Sequence, residues 1–262
     1  MRRSLFCGLT VVCLACVAQE SRGNVVSLTP IEDVNNSSVG DSQDVLVYQA
    51  FGTSNFNNFL FGPTNFGTLL AVANPGSSST HHVKSLIDFD LSSSGATKGA
   101  DVLSAKLLLN VIDAKVVGFP VGNATPSLPV PVAASLITSS WDEATVTYNT
   151  LPSVGSLVAT GSVTGANQVL TLDVTSAVQA WLDSPSSQFG LFIEQTAEVR
   201  DGSNTALGAV FASSAFGSLQ PTLMLTLVPE PSTWMMAGTG LLGALWAAGR
   251  HRRKRRREAA TA

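Results

Sequence analysis

The sequence predicts an all-β ectodomain, a single jelly-roll-like β-sandwich with one short helix, set between an N-terminal export leader and a C-terminal transmembrane helix. Three observations predict it. Short apolar or alternating runs, separated by turn residues, recur from Val45 to Val228. The same stretch is rich in Ser, Thr, Val, Gly and Asn and poor in Glu, Lys and Arg, the strong helix formers. At each end of the 262-residue chain an uncharged apolar segment is flanked by arginines.

Residues 1–23 form the leader. Arg2-Arg3 start it, Leu5 to Val17 have the length of a signal-peptide apolar core, and the small residues before Gln19 set cleavage after Ala18. A lipoprotein leader would instead use Cys16, but Cys13 stands where that signal has Leu. All three cysteines (Cys7, Cys13, Cys16) lie here, so the exported domain carries none and depends on its own core. Residues 24–43 follow as a flexible N-terminal segment.

The β domain spans 44–228. The runs Val45–Tyr48, Thr68–Ala73, Val83–Phe89, Leu103–Ile112, Val130–Ile137, Thr145–Tyr148, Ser156–Thr160, Val169–Leu172, Phe189–Glu194, Ala209–Ala212 and Thr222–Val228 are its expected strands. In the fourth, Leu103, Ala105, Leu107, Leu109 and Val111 share one face, with Lys106 and Asn110 opposite, the period-two pattern of a half-buried strand. One helix interrupts the series. Asp173 is its N-cap, Val174, Ala177, Val178 and Trp181 give its apolar face, and Asp183-Ser184-Pro185 ends it. Trp181 is expected to plug one end of the sandwich.

The C-terminal segment, 229–257, has three parts: Pro229-Glu230-Pro231, an uncharged stretch that gives a membrane helix over 233–249, and a cationic run of Arg250, Arg252, Arg253, Lys254, Arg255, Arg256 and Arg257 over 250–257. The sixteen residues Trp234 to Gly249 rise about 24 Å as a helix. Thr233 and a snorkelling Arg250 extend that toward a hydrocarbon core of roughly 30 Å. The basic run is the membrane stop and stays on the cytoplasmic side.

Charge is divided unevenly. The whole chain has net charge −3, but residues 24–228 hold five Lys/Arg against fifteen Asp/Glu, net −10. Such a domain lacks the clustered cations that phosphate contacts need, which argues against nucleic acid as a partner.

Little in the domain points to catalysis. Its only histidines, His81 and His82, are adjacent in a Ser/Thr-rich turn, outside any nucleophile–elbow or HExxH context. Asp88 and Asp90 lie on one strand face, and Asp90 is placed to bond the following turn. Asp142-Glu143 is a second acidic pair. Structural roles are expected for all four, and no catalytic residue is assigned. No cofactor is expected either. Ca²⁺ is chemically compatible with the aspartates, yet no D-x-D-x-D-G loop supports it. The segment from Phe51 to Phe66 packs rings among amides. Phe56, Asn57, Asn58, Phe59, Phe61 and Phe66 are candidate glycan contacts, the rings offering flat apolar faces and the amides hydrogen bonds. The competing role for these rings is to anchor a long loop over the end of the sandwich.

Two resemblances follow from these residues. Pro229-Glu230-Pro231, the apolar stretch and the basic run resemble the PEP-CTERM sorting signal of Gram-negative bacteria. It implies export, a temporary inner-membrane intermediate held by the C-terminal helix, and processing by an exosortase-type enzyme. Lys84-Ser-Leu-Ile-Asp88-Phe89-Asp90-Leu91-Ser92, Ala105-Lys-Leu107-Leu-Leu109, the stretch from Trp141 through Glu143, Thr147, Tyr148 and Asn149 to Pro152, Asp173-Val-Thr175 with Val178, Gln179 and Trp181, and Phe189-Gly190 resemble, in order, the motifs of DNRLRE domains. Asn65-Phe66-Gly67 with Leu70 and Val72 extends the match upstream. Lys84 stands where that family often has Arg, Tyr148 replaces a Trp, and Val116–Pro131 adds a Gly/Pro-rich loop. The resemblance implies a jelly roll of cell-surface and secreted proteins, related to carbohydrate-binding modules.

Together these imply an exported, non-enzymatic surface or extracellular-matrix protein that is structural or adhesive and associates with extracellular polysaccharide. A module with a defined glycan ligand is the alternative, and a polysaccharide-active enzyme the weaker one.

Overall fold

The computed structural model describes residues 24–30, 43–54, 60–61, 64–65, 69–77, 79–115 and 121–229. All fall within one unit, Gly23–Glu230. The leader, the membrane-helix segment, the basic run and the Glu230-Pro231 half of the sorting motif lie outside the described residues.

Strand β1 (Val25–Leu28) opens the domain, followed by β2 (Asp44–Tyr48) and the two-residue strands β3 (Leu60–Phe61) and β4 (Thr64–Asn65), which pair with each other. Then come β5 (Leu69–Ala73), β6 (Val83–Ile87), β7 (Val102–Ile112), β8 (Gly122–Asn123), β9 (Val130–Ile137), β10 (Val154–Val163) and β11 (Gln168–Asp173). Helix α1 (Thr175–Asp183) precedes β12 (Leu191–Gln195), β13 (Leu207–Ala212) and β14 (Thr222–Leu227). Apart from β3 and β4, these strands join one twelve-stranded sheet in the order β1-β14-β7-β13-β5-β6-β12-β9-β10, with β11 on β7, β2 on β6 and β8 on β13. Its ladders are antiparallel except the two-residue β8–β13 pair.

Hydrogen bonding runs unbroken because β7 is long enough to serve three partners. It pairs with β14 over Val102–Leu108, with β11 over Lys106–Val111, and with β13 at Val111 and Ile112. The side chains nevertheless divide the sheet into facing halves. Leu223 and Leu225 of β14 and Leu107 and Leu109 of β7 share one buried cluster with Leu70 and Val72 of β5, Ile193 of β12 and Val132 of β9. A continuous sheet closed over one core in this way is sandwich-like, and both of its inner faces are lined by alternate residues. A second cluster (Leu46, Tyr48, Leu69, Ala71, Val210) covers the opposite side of β5, which is why all five residues of that strand are buried.

Most expected strands are present with shifted ends, and four details differ from the sequence reading. Val25–Leu28, expected within a flexible segment, is strand β1, paired with β14 from Val25↔Thr226 to Leu28↔Leu223. Thr145–Tyr148 is not a strand: Asp142 accepts the amides of Ala144 through Oδ1 (2.8 Å) and Val146 through its carbonyl (2.8 Å), and Thr147 and Thr150 cap a 3-10 turn at Tyr148. Local side-chain bonds there defeat an alternating pattern. Leu103 is 57% exposed, because the β7–β14 register slips between Thr226/Ser104 and Leu227/Val102. That slip turns Val102 inward and Leu103 outward. Helix α1 begins one residue later than expected, with Val174 at the N-cap position. Asp173 still does the capping chemistry, accepting from Thr175 N–H (3.1 Å) and Thr175 Oγ1 (2.6 Å), which holds its carboxyl below the usual range. The helix face forms as expected: Val174, Ala177, Val178 and Trp181 are buried in the main cluster.

Candidate functional site

Five separate elements build a polar cleft of about 310 Å³ at the ends of β5, β6 and β12. His82 and Lys84 come from the start of β6 and Glu194 and Gln195 from the end of β12; Gln49 and Tyr148 come from two 3-10 turns, and Asn74 follows β5. Each is fixed by its element. The turn at Gln49 is tied down by its N–H donating to the carbonyl of His82 at 2.9 Å, and the turn at Tyr148 by Asn149 N–H donating to Gly52 O at 2.9 Å. Asn74 N–H donates to Gln195 Oε1 (3.2 Å), while Gln195 Nε2 donates to Ala197 O (2.7 Å). The Gln195 amide is thereby committed to holding the wall.

Lys84 and Glu194 sit on neighbouring strands one position beyond the Ser85/Ile193 pair, and their Nζ and Oε2 are 3.1 Å apart. The ammonium also lies 4.9 Å from the centre of the Phe192 ring and 6.0 Å from that of Tyr148. Two aromatic rings thus border a neutralised charge pair, and Tyr148 itself is half-buried. Beside them the Oε1 of Gln49 is buried with no hydrogen-bond partner among the described residues. A buried acceptor left unmade costs about 1–3 kcal/mol.

A hollow of about 280 Å³ adjoins the cleft through Val83. There Tyr48 Oη meets His81 Nδ1 at 2.5 Å, and burial raises the Tyr48 hydroxyl above its ordinary pKa. Arg200 forms its wall but is held by Glu198 and by the carbonyls of Asn204 (2.8 Å) and Pro75 (2.5 Å). A wider depression of about 570 Å³ lies beside Trp141, bordered by Ser140, Asp142, Thr145, Val146 and Thr150. Trp141 is not a core residue but a half-buried one, donating Nε1–H to Phe189 O at 2.7 Å.

The acidic pairs take structural positions. Asp90 accepts from Ser92 N–H (2.8 Å) and Ser92 Oγ (2.7 Å), closing the turn after β6 as expected. Asp88 Oδ1 accepts from Phe89 N–H at 2.8 Å, and burial pushes its carboxyl up to about 6, opposed by that bond and one from Gln188. Neither Asp88 nor Asp142 borders the cleft. Glu194 is its one carboxylate, so the facing pair that glycoside hydrolysis requires is not assembled there. Among the described residues no three His, Cys, Asp or Glu gather as metal ligands, and no helix is long and apolar enough to cross a membrane.

Of the candidate glycan contacts, Phe56, Asn57, Asn58, Phe59 and Phe66 fall outside the described residues, and Phe61 lies in β3. Pro229 directly follows the last described strand region; the basic run from Arg250 to Arg257 is outside it. Sequence reasoning did not assemble the cleft, because its members are scattered from Gln49 to Gln195. The available signal was a pair of opposite charges, Lys84 and Glu194, each the one charged residue of its strand.

No curated protein matches the chain. A PEP-CTERM protein-sorting motif matches residues 227–254, a motif of exported proteins. The model of carbohydrate-binding module family 96 matches residues 62–227, a span that includes every residue bordering the cleft except Gln49. Module and sorting motif both point to a binding protein rather than a catalyst. With well over half its length matched, the chain belongs to carbohydrate-binding module family 96.

Proposed function

We propose that this chain is an exported, non-enzymatic surface or matrix protein whose domain holds extracellular polysaccharide in the cleft around Tyr148, Lys84 and Glu194. The observation that carries the reading is the half-buried Tyr148 ring beside the Lys84–Glu194 pair in a polar cleft, within a carbohydrate-binding family. Sugars offer hydroxyls to such a charge pair and C–H faces to such a ring. A defined site favours a true glycan-binding module over general adhesion. The Phe/Asn segment (Phe56, Asn57, Asn58, Phe59, Phe61, Phe66) belongs to the same proposal, since in sequence it joins the turn carrying Gln49 to the strand that precedes Asn74.

In this reading the domain is a jelly roll of the DNRLRE type over 44–228, and Gly190 is one of its fixed points: φ is +85° there, and a Cβ would meet Ile87 O at 2.4 Å. The leader 1–23 is removed on export. The segment 229–257 holds an inner-membrane intermediate by its helix until an exosortase-type enzyme recognises Pro229-Glu230-Pro231 and delivers the domain to the surface or matrix. The test is calorimetric titration of the protein with a panel of polysaccharides, comparing wild type with Tyr148→Ala. Saturable heat in the wild type and at least about a tenfold loss in the variant support the reading; no saturable binding to any member overturns it.

A further inference from the structure

We infer that the bound polysaccharide runs on from the cleft across the outer face of the sheet to a second sugar position in the depression beside Trp141, so that recognition depends on chain length; this rests on the glycan-binding reading above and extends its site. The strand register comes first. Val47 of β2 pairs with Lys84 of β6, Val45 with Leu86, and Leu86 with Phe192 of β12. Directly paired residues share a sheet face, and so do residues two apart on one strand. Lys84, Leu86, Phe192 and Glu194 therefore lie on the side away from the main core, which takes Ile87, Leu191 and Ile193 from the same two strands. The cleft is one end of that outer face. Its middle is a third buried cluster, formed by Val45, Val47, Leu86, Ile137, Val146 and Phe192.

The segment lying over this face comes second. Val146 is buried in the third cluster, and Trp141, Tyr148 and Leu151 pack against it. One part of the segment gives Tyr148 to the cleft, and another gives Trp141, Thr145 and Val146 to the depression of about 570 Å³. Two rings supported by one apolar cluster thus serve two hollows. The indole N–H donates to Phe189 O at 2.7 Å, which fixes the ring beside the residue two positions before β12. Glu194 stands near the other end of that strand. Leu191 to Glu194 alone spans about 10 Å, further than one sugar ring reaches.

The chemistry of the depression comes third. With its N–H satisfied, Trp141 has an apolar ring left to offer, half-buried and held in place, so a ligand pays little ordering entropy to use it. Ser140 and Thr145 are exposed on the rim and supply hydroxyls beside that ring. A sugar presents the matching C–H face and hydroxyls. Filling the second position by the same chain is an intramolecular step, so affinity climbs with length until both positions are occupied.

The experiment uses the full chain in a zwitterionic, non-glycosidic detergent, titrated calorimetrically with disaccharides and hexasaccharides of a glucan, a mannan, a galactan and a polyuronate. For a bound series, the hexasaccharide is expected to bind at least about tenfold more tightly than the disaccharide. Trp141→Ala, and Ser140→Gln as a rim-filling variant that leaves the packed ring in place, are expected to remove that gain and leave the disaccharide as in wild type. In acrylamide quenching, the Trp141 signal, taken as the difference between wild type and Trp141→Phe, is expected to be protected by the hexasaccharide and not by the disaccharide. Equal affinity for both lengths, a length gain that survives in Ser140→Gln, or Trp141 left unprotected by the hexasaccharide overturns the inference and leaves the glycan-binding reading intact. Absence of binding to every hexasaccharide overturns both.

Discussion

At the end of β6, Asp88 Oδ1 accepts from Phe89 N–H and Gln188 Nε2, yet burial outweighs both bonds and its carboxyl titrates near 6. The folded state therefore keeps a proton that the unfolded chain has released between about pH 4 and pH 6, and stability falls as pH rises through that window. The loss totals about 2–3 kcal/mol by the usual conversion of a two-unit shift. Asp88→Asn keeps an acceptor for Phe89 N–H and removes the charge. Its melting temperature is expected to match wild type at pH 4 and exceed it at pH 7.5. Melting curves that stay parallel across the range would contradict this role. The residue's identity and its neighbour Asp90 were legible in the sequence, and Asp90's turn closure was expected; the depth of Asp88 was not, because it depends on Gln188, a hundred positions away.

Among the elements, helix α1 was the most legible. Helical spacing of Val174, Ala177, Val178 and Trp181 marks one face, and that whole face is buried. Trp181→Ala empties the largest side chain of that face and is expected to cost about 3–5 kcal/mol. Chemical denaturation measures it; a cost below about 1 kcal/mol would mean the ring does not seal the core. Strand β7 was legible in its middle and not at its start. Period two identifies Ala105, Leu107, Leu109 and Val111, but the slip against β14 that exposes Leu103 is a property of the pairing and leaves no mark on one strand's pattern. The stretch from Thr145 to Tyr148 failed for the opposite reason: the hydroxyls and Asp142 bond locally, and alternation carries no information once they do. That failure bears on function, since the resulting turn is what brings Tyr148 to the cleft.

At the scale of the whole molecule, the sorting motif near the C-terminus was readable and the site was not. A sorting motif is a continuous segment whose physics is local, whereas the cleft exists only after β5, β6, β12 and two turns meet. Export gives the sorting motif its own test. Replacing Pro229-Glu230-Pro231 with alanines is expected to leave unprocessed protein in the membrane fraction on immunoblotting; unchanged processing and release would remove the exosortase role. The division of charge acquires its meaning here as well. The basic run masks a domain of net −10, and in the proposed function that domain meets polysaccharide through the charge-balanced cleft beside Tyr148. The heat of polysaccharide binding, measured for wild type and for Tyr148→Ala shown by circular dichroism to be folded, tests this most directly. Saturable binding in the first and at least about a tenfold weaker binding in the second is the expected result; equal affinities, or no saturable binding in the wild type, would contradict it.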